Sequence, residues 1–329
     1  MKNAKNLGER RIIEIIQNHL DQMPKITVPF GDDVSAFEIG DGNVAVLKTD
    51  MLVGKTDVPA AMSLWQAARK AVVMNVSDFA AKGVQPLTVL VSLGLPENLT
   101  QKEIEDIGSG LNAGARQYGA YVVGGDTAEA SDLVISVSLF GITSKNRLML
   151  RNGARPGDIV AVTGLFGKSA AGLKILEDRL PLSKKISRDL VESVLMPSAR
   201  LKEGLALGQS GAVNAAIDSS DGLAWSLHEI ARASKVGISL SMLPIANEVK
   251  EFALDNRLDP AKLALYGGEE YELVLAVKPR LWNSAKDIAN EASGDLLQIG
   301  KVTSGKGVQL KTRGGRVAVE PKGYEHFKT

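Results

Sequence analysis

The run Val213-Asn214-Ala215-Ala216-Ile217-Asp218-Ser219-Ser220-Asp221-Gly222-Leu223 decides how the chain is read. Val213 to Ile217 predicts a strand and Leu223 to Ala233 predicts a helix. The polar turn between them carries two aspartates three positions apart. In a strand-to-helix turn such a pair lies within one helical turn of exposed backbone N–H groups, a setting suited to phosphate and its metal. Asp221 or Ser220 alone would cap the helix, so the second carboxylate exceeds what capping needs.

Working outward, the same alternation fills the chain. Leu7 to Leu20 predicts a helix with a broad apolar face, closed by Pro24. Val34 to Ile39 and Val44 to Val53, joined by Gly40-Asp41-Gly42-Asn43, predict a β-hairpin, and Met62 to Lys82 predicts a long helix stopped by Gly83. Strand Leu87 to Leu95, helix Gln101 to Tyr118 and strands Tyr121 to Val123 and Leu133 to Thr143 follow. After the turn at Arg147 to Gly157 come strand Ile159 to Thr163, helix Lys168 to Leu180, and helices near Arg188 and Ala199. Beyond the opening run lie strands Val236 to Leu240 and Tyr271 to Val277, helix Leu281 to Ala292, and short strands near Leu297, Val308 and Val317. The class is α/β (α+β), and 329 residues exceed what one core usually serves. Two domains are expected, 1–149 and 150–329.

Further carboxylates sit in short polar breaks. Asp32 and Asp33 are adjacent, so in extended chain they should face opposite sides, with one in a site and the other serving the turn. On the next strand Lys48 and Asp50 share a face while Thr49 turns away, which leaves Thr49 its carbonyl as the easier route to a metal. Asp78 interrupts a helix whose Val72, Val73, Met74 and Val76 suggest burial, so Lys70, Lys82, Arg69 or a cation must neutralise it. Gly124-Gly125-Asp126 is expected to end a strand, where paired glycines allow backbone to approach a ligand. Each has a structural explanation alone. If they converge, their charge requires a divalent ion.

Composition narrows the chemistry. With no cysteine there is no disulfide, thiolate metal site or cysteine nucleophile, and His19, His228 and His326 lack metal-like spacing. Oxygen ligands select magnesium, which shares its shell with phosphates and so implies a nucleoside triphosphate. Lys and Arg number 39 against 38 Asp and Glu, a balance that offers no field for nucleic acid or anionic membrane. With no leader-like start and no long uncharged apolar run, the chain is expected in the cytoplasm. Gly164-Leu165-Phe166-Gly167-Lys168-Ser169 ends like a Walker A loop but is two residues short between its glycines, and reads as a glycine-rich helix start near phosphate.

Eight motifs in order resemble thiamine-monophosphate kinase, within the wider group that includes aminoimidazole ribonucleotide synthetase and selenophosphate synthetase. They are Gly31-Asp32-Asp33, Thr49-Asp50-Met51-Leu52-Val53, Lys70-Ala71-Val72 with Asn75-Val76-Ser77-Asp78, Gly124-Gly125-Asp126-Thr127, Ala154-Arg155-Pro156-Gly157-Asp158, Ala216 to Leu223, Gly267-Gly268-Glu269-Glu270-Tyr271-Glu272-Leu273 and Lys322-Gly323-Tyr324-Glu325-His326-Phe327. The resemblance implies an N-terminal ATP- and magnesium-binding domain whose mixed sheet forms a barrel with a second subunit. It also implies a C-terminal α/β sandwich-like domain that closes the cleft, and a homodimer. Asp33, Asp50, Asp78, Asp126, Asp218 and Asp221, with Thr49, would hold several magnesium ions around ATP. Gly125, Asp126, Arg151 and Ser220 match nucleotide contacts, Glu269 a contact to thiamine phosphate, and Tyr324 an aromatic on the substrate's rings.

The chain departs from this resemblance twice. Lys48 stands where bacterial members often carry serine or threonine, so one ion is missing or replaced by its ammonium. Asp57 stands where they often carry a substrate-binding histidine. The implied reaction is direct attack of thiamine phosphate on the γ-phosphorus of ATP, with no separate general base. The alternatives are an aminoimidazole ribonucleotide synthetase-like enzyme or a non-catalytic nucleotide- and magnesium-binding scaffold.

Overall fold

The computed structural model describes residues 3–178, 180 and 184–327. The N-terminal half runs α1 (Ala4–Leu7), α2 (Glu9–Gln17), β1 (Ser35–Gly40), β2 (Asn43–Val53), α3 (Gly54–Asp57), α4 (Leu64–Lys82), β3 (Pro86–Leu95), α5 (Gln101–Gln117), β4 (Tyr121–Glu129) and β5 (Val134–Ser144). The C-terminal half runs β6 (Ile159–Val162), α6 (Lys168–Asp178), α7 (Lys184–Leu195), α8 (Leu201–Ser210), β7 (Val213–Asp218), α9 (Leu223–Ser234), β8 (Gly237–Leu240), α10 (Asn247–Asp255), α11 (Pro260–Tyr266), β9 (Leu273–Val277), α12 (Trp282–Glu291), β10 (Leu297–Thr303), β11 (Gly307–Thr312) and β12 (Gly315–Ala318). Arg179, within the helix expected to Leu180, lies outside the described residues.

Two mixed sheets result, of order β1-β2-β5-β3-β4 and β12-β11-β8-β10-β6-β9-β7. The β1-β2 turn has Asp41 and Gly42 at φ 52° and 72°, the paired positive φ of a two-residue hairpin loop. Neither sheet closes into a barrel among the described residues. No described helix is long and apolar enough to cross a membrane.

Helix α4 is the spine. A capping box between Ser63 and Gln66 starts it and left-handed Gly83 stops it. Glycines on neighbouring helices let them reach its backbone: a Cβ at Gly110 of α5 would stand 2.2 Å from Trp65 O, and one at Gly204 of α8 would stand 2.0 Å from Ala80 O. Val72, Val73, Val76 and Phe79 are fully buried, each worth roughly 1.5–3 kcal/mol. That burial also carries Lys70, Asp78 and Lys82 inside, which is tolerable only because each finds a partner. The core around α4 takes Leu207 from α8, Ala216 from β7 and Leu275 and Val277 from β9, so both halves contribute to it. A second cluster packs α9 on the C-terminal sheet through Leu223, Leu227 and Ile230.

Several expectations need correction. The helix expected over Leu7 to Leu20 is broken at Gly8, whose φ is 75°, and α2 buries none of its residues. Gly124-Gly125-Asp126 does not end a strand but lies in the middle of β4. Two helices, α10 and α11, stand between Leu240 and Tyr271 where none was expected.

Candidate functional site

The turn after β7 is held by the segment 267–272. Ser219 N donates to Glu272 O, Tyr271 N to Ser219 O and Glu269 N to Ser220 O at 2.8, 3.0 and 2.6 Å. To fit, Glu269 and Tyr271 adopt left-handed φ of 63° and 53°, strain that the surrounding contacts must offset. This places Asp218 at the end of β7, buried, against α4, where Ser77 Oγ donates to Asp218 Oδ2 at 2.7 Å. Asp33, Asp78 and Asp218 meet there, with one carboxylate oxygen of each within 4.8 Å of the others.

Cations surround this group. Lys48 Nζ lies 2.9 Å from Asp78 Oδ2 and 3.2 Å from Asp50 Oδ2. Fully buried Lys82 reaches Asp32 Oδ1 and Asp33 Oδ2, both at 2.7 Å, and donates to Ala216 O. Arg151 Nε donates to Asp33 Oδ1 at 2.7 Å, and its backbone N donates to Asp32 Oδ2 at 2.9 Å. Asp32 and Asp33 therefore do not face opposite sides; both converge on Lys82 and Arg151, because the chain there bends rather than extends. The partner of Asp78 is Lys48 on β2, whereas Lys70 and Lys82 serve other carboxylates and Arg69 bonds Gln117 and Pro197 O.

The charge is incompletely compensated. Burial first, then the Asp33 carboxylate, pushes Asp218 up to about 6 against the Ser77 hydrogen bond. Burial, then the carboxylates of Glu9, Asp218 and Asp50, pushes Asp221 up to about 7. Asp78 is raised well above the usual range by burial, opposed by Lys48 and reinforced by Asp218, Asp50 and Asp33. At Asp33 burial is outweighed by Lys82 and Arg151, so its carboxyl sits below the usual value. Asp33 Oδ2 is buried against the Lys82 ammonium at 2.7 Å, while Ser219 Oγ beside Asp218 is buried and unpartnered. An oxygen-only donor set with an unpartnered buried hydroxyl and raised carboxyls fits a hard divalent cation.

Alongside, a cavity of about 470 Å³ is lined by Asp57, Glu269, Tyr324, Lys55, Ser169 and Tyr266, among others. Glu269 is held by Lys70 Nζ at 2.5 Å, which also donates to Asp57 O. The Asp57 carboxylate turns back to accept from Val53 N, so it lines the cavity while tied to backbone. Tyr324 is half-exposed, and its N donates to Asp221 O at 2.9 Å, linking the cavity wall to the acidic turn.

Other expected residues lie elsewhere. Asp126 is exposed on edge strand β4, paired in register with Ser92 on the sheet face that also carries Thr49 and Met51, opposite Lys48 and Asp50. At Gly125 a Cβ would stand 1.8 Å from Val91 O, so glycine there serves strand packing. Thr49 Oγ1 donates to Val137 O and accepts from Ser138 Oγ, which leaves its side chain engaged on that far face. Ser220 is exposed beside Asp221.

Glu270 and Glu272 were missed, while Lys70 and Lys82, expected on Asp78, pair instead with Glu269 and with Asp32 and Asp33. Glu270 accepts from Gly167 N, Ser169 N and Ser169 Oγ, capping α6. The amides of Gly167 and Ser169, in the loop expected near phosphate, are thus already taken by an internal carboxylate. Burial, partly countered by these bonds, pushes Glu270 up to about 7. Glu272 makes a two-pronged pair with Arg200 and accepts from Thr163 Oγ1. The run of three glutamates within four positions carried the signal, but their partners lie about 70 to 200 positions away.

Known proteins match the chain along nearly its whole length. The AIR synthase related protein N-terminal domain family matches residues 31–143 and the corresponding C-terminal domain family matches residues 155–313. The chain is similar to thiamine-monophosphate kinase of Pyrococcus abyssi, 39% identical over 98% of this chain and 96% of the relative. It is also similar to that of Nitrosopumilus maritimus, 34% identical over 98% and 99%. In three dimensions it resembles AaThiL complexed with AMPPCP and TMP, with TM-score 0.87, 32% identity and 99% of each chain covered. Matched on both halves and along nearly its whole length, the chain belongs to the AIR synthase related family and, within it, to the thiamine-monophosphate kinases.

Proposed function

We propose that the chain transfers the γ-phosphoryl group of ATP to thiamine phosphate, yielding thiamine diphosphate and ADP. The observation that carries this reading is the meeting of Asp33, Asp78 and Asp218, drawn from three separate elements, beside the cavity walled by Asp57, Glu269 and Tyr324. The complex of a structural relative with AMPPCP, an ATP analogue, and TMP supports the same pair of substrates.

Magnesium, when bound, would neutralise phosphate charge; Asp33, Asp78 and Asp218 would hold it, with Asp50 and Asp221 alongside and Thr49 limited to its carbonyl. Arg151 and Ser220, next to the acidic turn, and Gly125 and Asp126 on β4 keep the nucleotide contacts that the resemblance gives them, Asp126 with a share in the metal. The acceptor phosphate is substantially ionised at neutral pH, so the protein's task is to align it in line with the γ-phosphorus and compensate charge. Glu269 and Tyr324 would seat the cationic substrate rings, and Asp57 lines the same cavity.

In this reading residues 1–149 form the nucleotide and dimerisation domain and residues 150–329 the domain that closes the cleft. The exposed face of the first sheet, with Leu47, Met51 and Leu90, supports a homodimer in which two such sheets make a barrel. With every reactant water-soluble, the reaction is assigned to the cytoplasm. ADP release measured with thiamine phosphate, free thiamine and an aminoimidazole precursor tests the reading: turnover with thiamine phosphate alone is expected, and turnover with none of the three would overturn it.

A further inference from the structure

We propose that Lys48 is a built-in cation of the acidic site, its ammonium taking the place between Asp50 and Asp78 that a metal ion would otherwise fill. This deepens the metal-dependent phosphoryl transfer put forward above and rests on it.

The two carboxylates come from different elements, β2 and α4, and Lys48 Nζ bridges them at 3.2 and 2.9 Å. Both Lys48 and Asp78 are largely shielded from solvent, with side-chain exposures of 16% and 9%, so the ammonium is not a mobile surface charge. Asp78 is at the same time one of the three carboxylates whose oxygens lie within 4.8 Å of one another. The cation is therefore placed at the edge of the divalent set and shares a ligand with it. Lys82 closes the opposite edge on Asp32 and Asp33.

Fixed charges at both ends confine a divalent ion to the space among Asp33, Asp78 and Asp218. An ion between Asp50 and Asp78 would have to displace or adjoin an ammonium that both carboxylates already hold, at 3.2 and 2.9 Å. Neutralisation that would otherwise depend on free metal concentration is thus covalently attached to the chain.

The test counts ions rather than turnover. Mn²⁺ bound to the full chain in the presence of AMPPCP is measured by electron paramagnetic resonance for wild type, Lys48→Ala and Lys48→Arg. Lys48→Ala is expected to bind roughly one ion more than wild type, because two hard carboxylates are released; Lys48→Arg keeps the wild-type count. The melting temperature of Lys48→Ala is expected to rise more steeply with added Mg²⁺ than that of wild type. Should Lys48→Ala not fold, Lys48→Gln, neutral and polar, is counted in its place. Equal counts for wild type and the neutral variant overturn the role of Lys48 while leaving the kinase reading standing. No bound Mn²⁺ in any of them removes the metal-dependent reading and this proposal together.

Discussion

Ser77 on α4 donates its hydroxyl to Asp218 at the end of β7 over 2.7 Å, joining positions 141 apart in sequence at the centre of the acidic site. The bond sets the rotamer of a buried carboxylate whose other neighbours include Asp33 and Asp78. Asp218→Asn keeps the shape and the hydrogen-bonding capacity but removes one charge. Turnover is expected to fall by orders of magnitude, while the melting temperature holds or rises because like-charge repulsion is relieved. Full activity in a coupled ADP assay would exclude Asp218 from the site.

Lys82 is buried and answers two carboxylates and a carbonyl. Lys82→Met leaves Asp32 and Asp33 without that charge, and a loss of about 3–5 kcal/mol is expected in urea unfolding. Adding Asp33→Asn should recover part of it. A single-variant loss below about 1 kcal/mol, the range of an exposed pair, would contradict the assignment.

Glu270 gives a pH dependence of stability. Its folded value of about 7 lies above its ordinary 4.5, so the folded state holds the proton more tightly. The associated stability is fully present below about 4.5 and is lost as pH rises through about 7. Glu270→Gln cannot ionise, yet its amide oxygen can still accept from Gly167 and Ser169. The variant should match wild type near pH 4 and exceed it near pH 8 by on the order of 2–4 kcal/mol. A difference between the two proteins that stays constant from pH 4 to 8 in denaturant melts would refute this.

Tyr324 forms part of the cavity wall and is anchored through its backbone to Asp221. Tyr324→Ala is expected to raise KM for thiamine phosphate about tenfold, corresponding to about 1.4 kcal/mol of lost cation–π and packing contact. KM for ATP should change little, and Tyr324→Phe should stay near wild type. Equal effects on both substrates would move Tyr324 away from the acceptor.

Leu90 is exposed on the outer face of the first sheet with Leu47 and Met51. If that face meets a second copy, Leu90→Glu buries an unpaired charge at the contact, and sedimentation should show monomer where wild type shows dimer. Identical sedimentation of the two proteins would remove this face from any interface.

Much of the fold was legible because local rules and tertiary packing agree. The Asp41-Gly42 turn fixed the first hairpin, and Gly83 the end of α4. The turn from β7 to α9 falls where the apolar run gives way to Asp218 and resumes at Leu223. What periodicity cannot supply is the element on the other side of a contact. It put Lys48 and Asp50 on one face, as found, but offered Asp78 a partner from its own helix or a free cation when the answer came from β2. Strand alternation misjudged Asp32 and Asp33 because it assumes extended backbone. Two helices escaped notice although Val249, Phe252 and Ala253 carry helical spacing, since α10 and α11 are short and flanked by polar residues.

The core shared by the two halves has a consequence for how such a chain can be divided. Leu207, Ala216, Leu275 and Val277 lie in the same apolar cluster as Val72, Val76 and Phe79. Cleavage near Leu150 followed by separation would wet that whole surface on both fragments. Each half would then have to find other cover for the apolar surface it now lends to its counterpart.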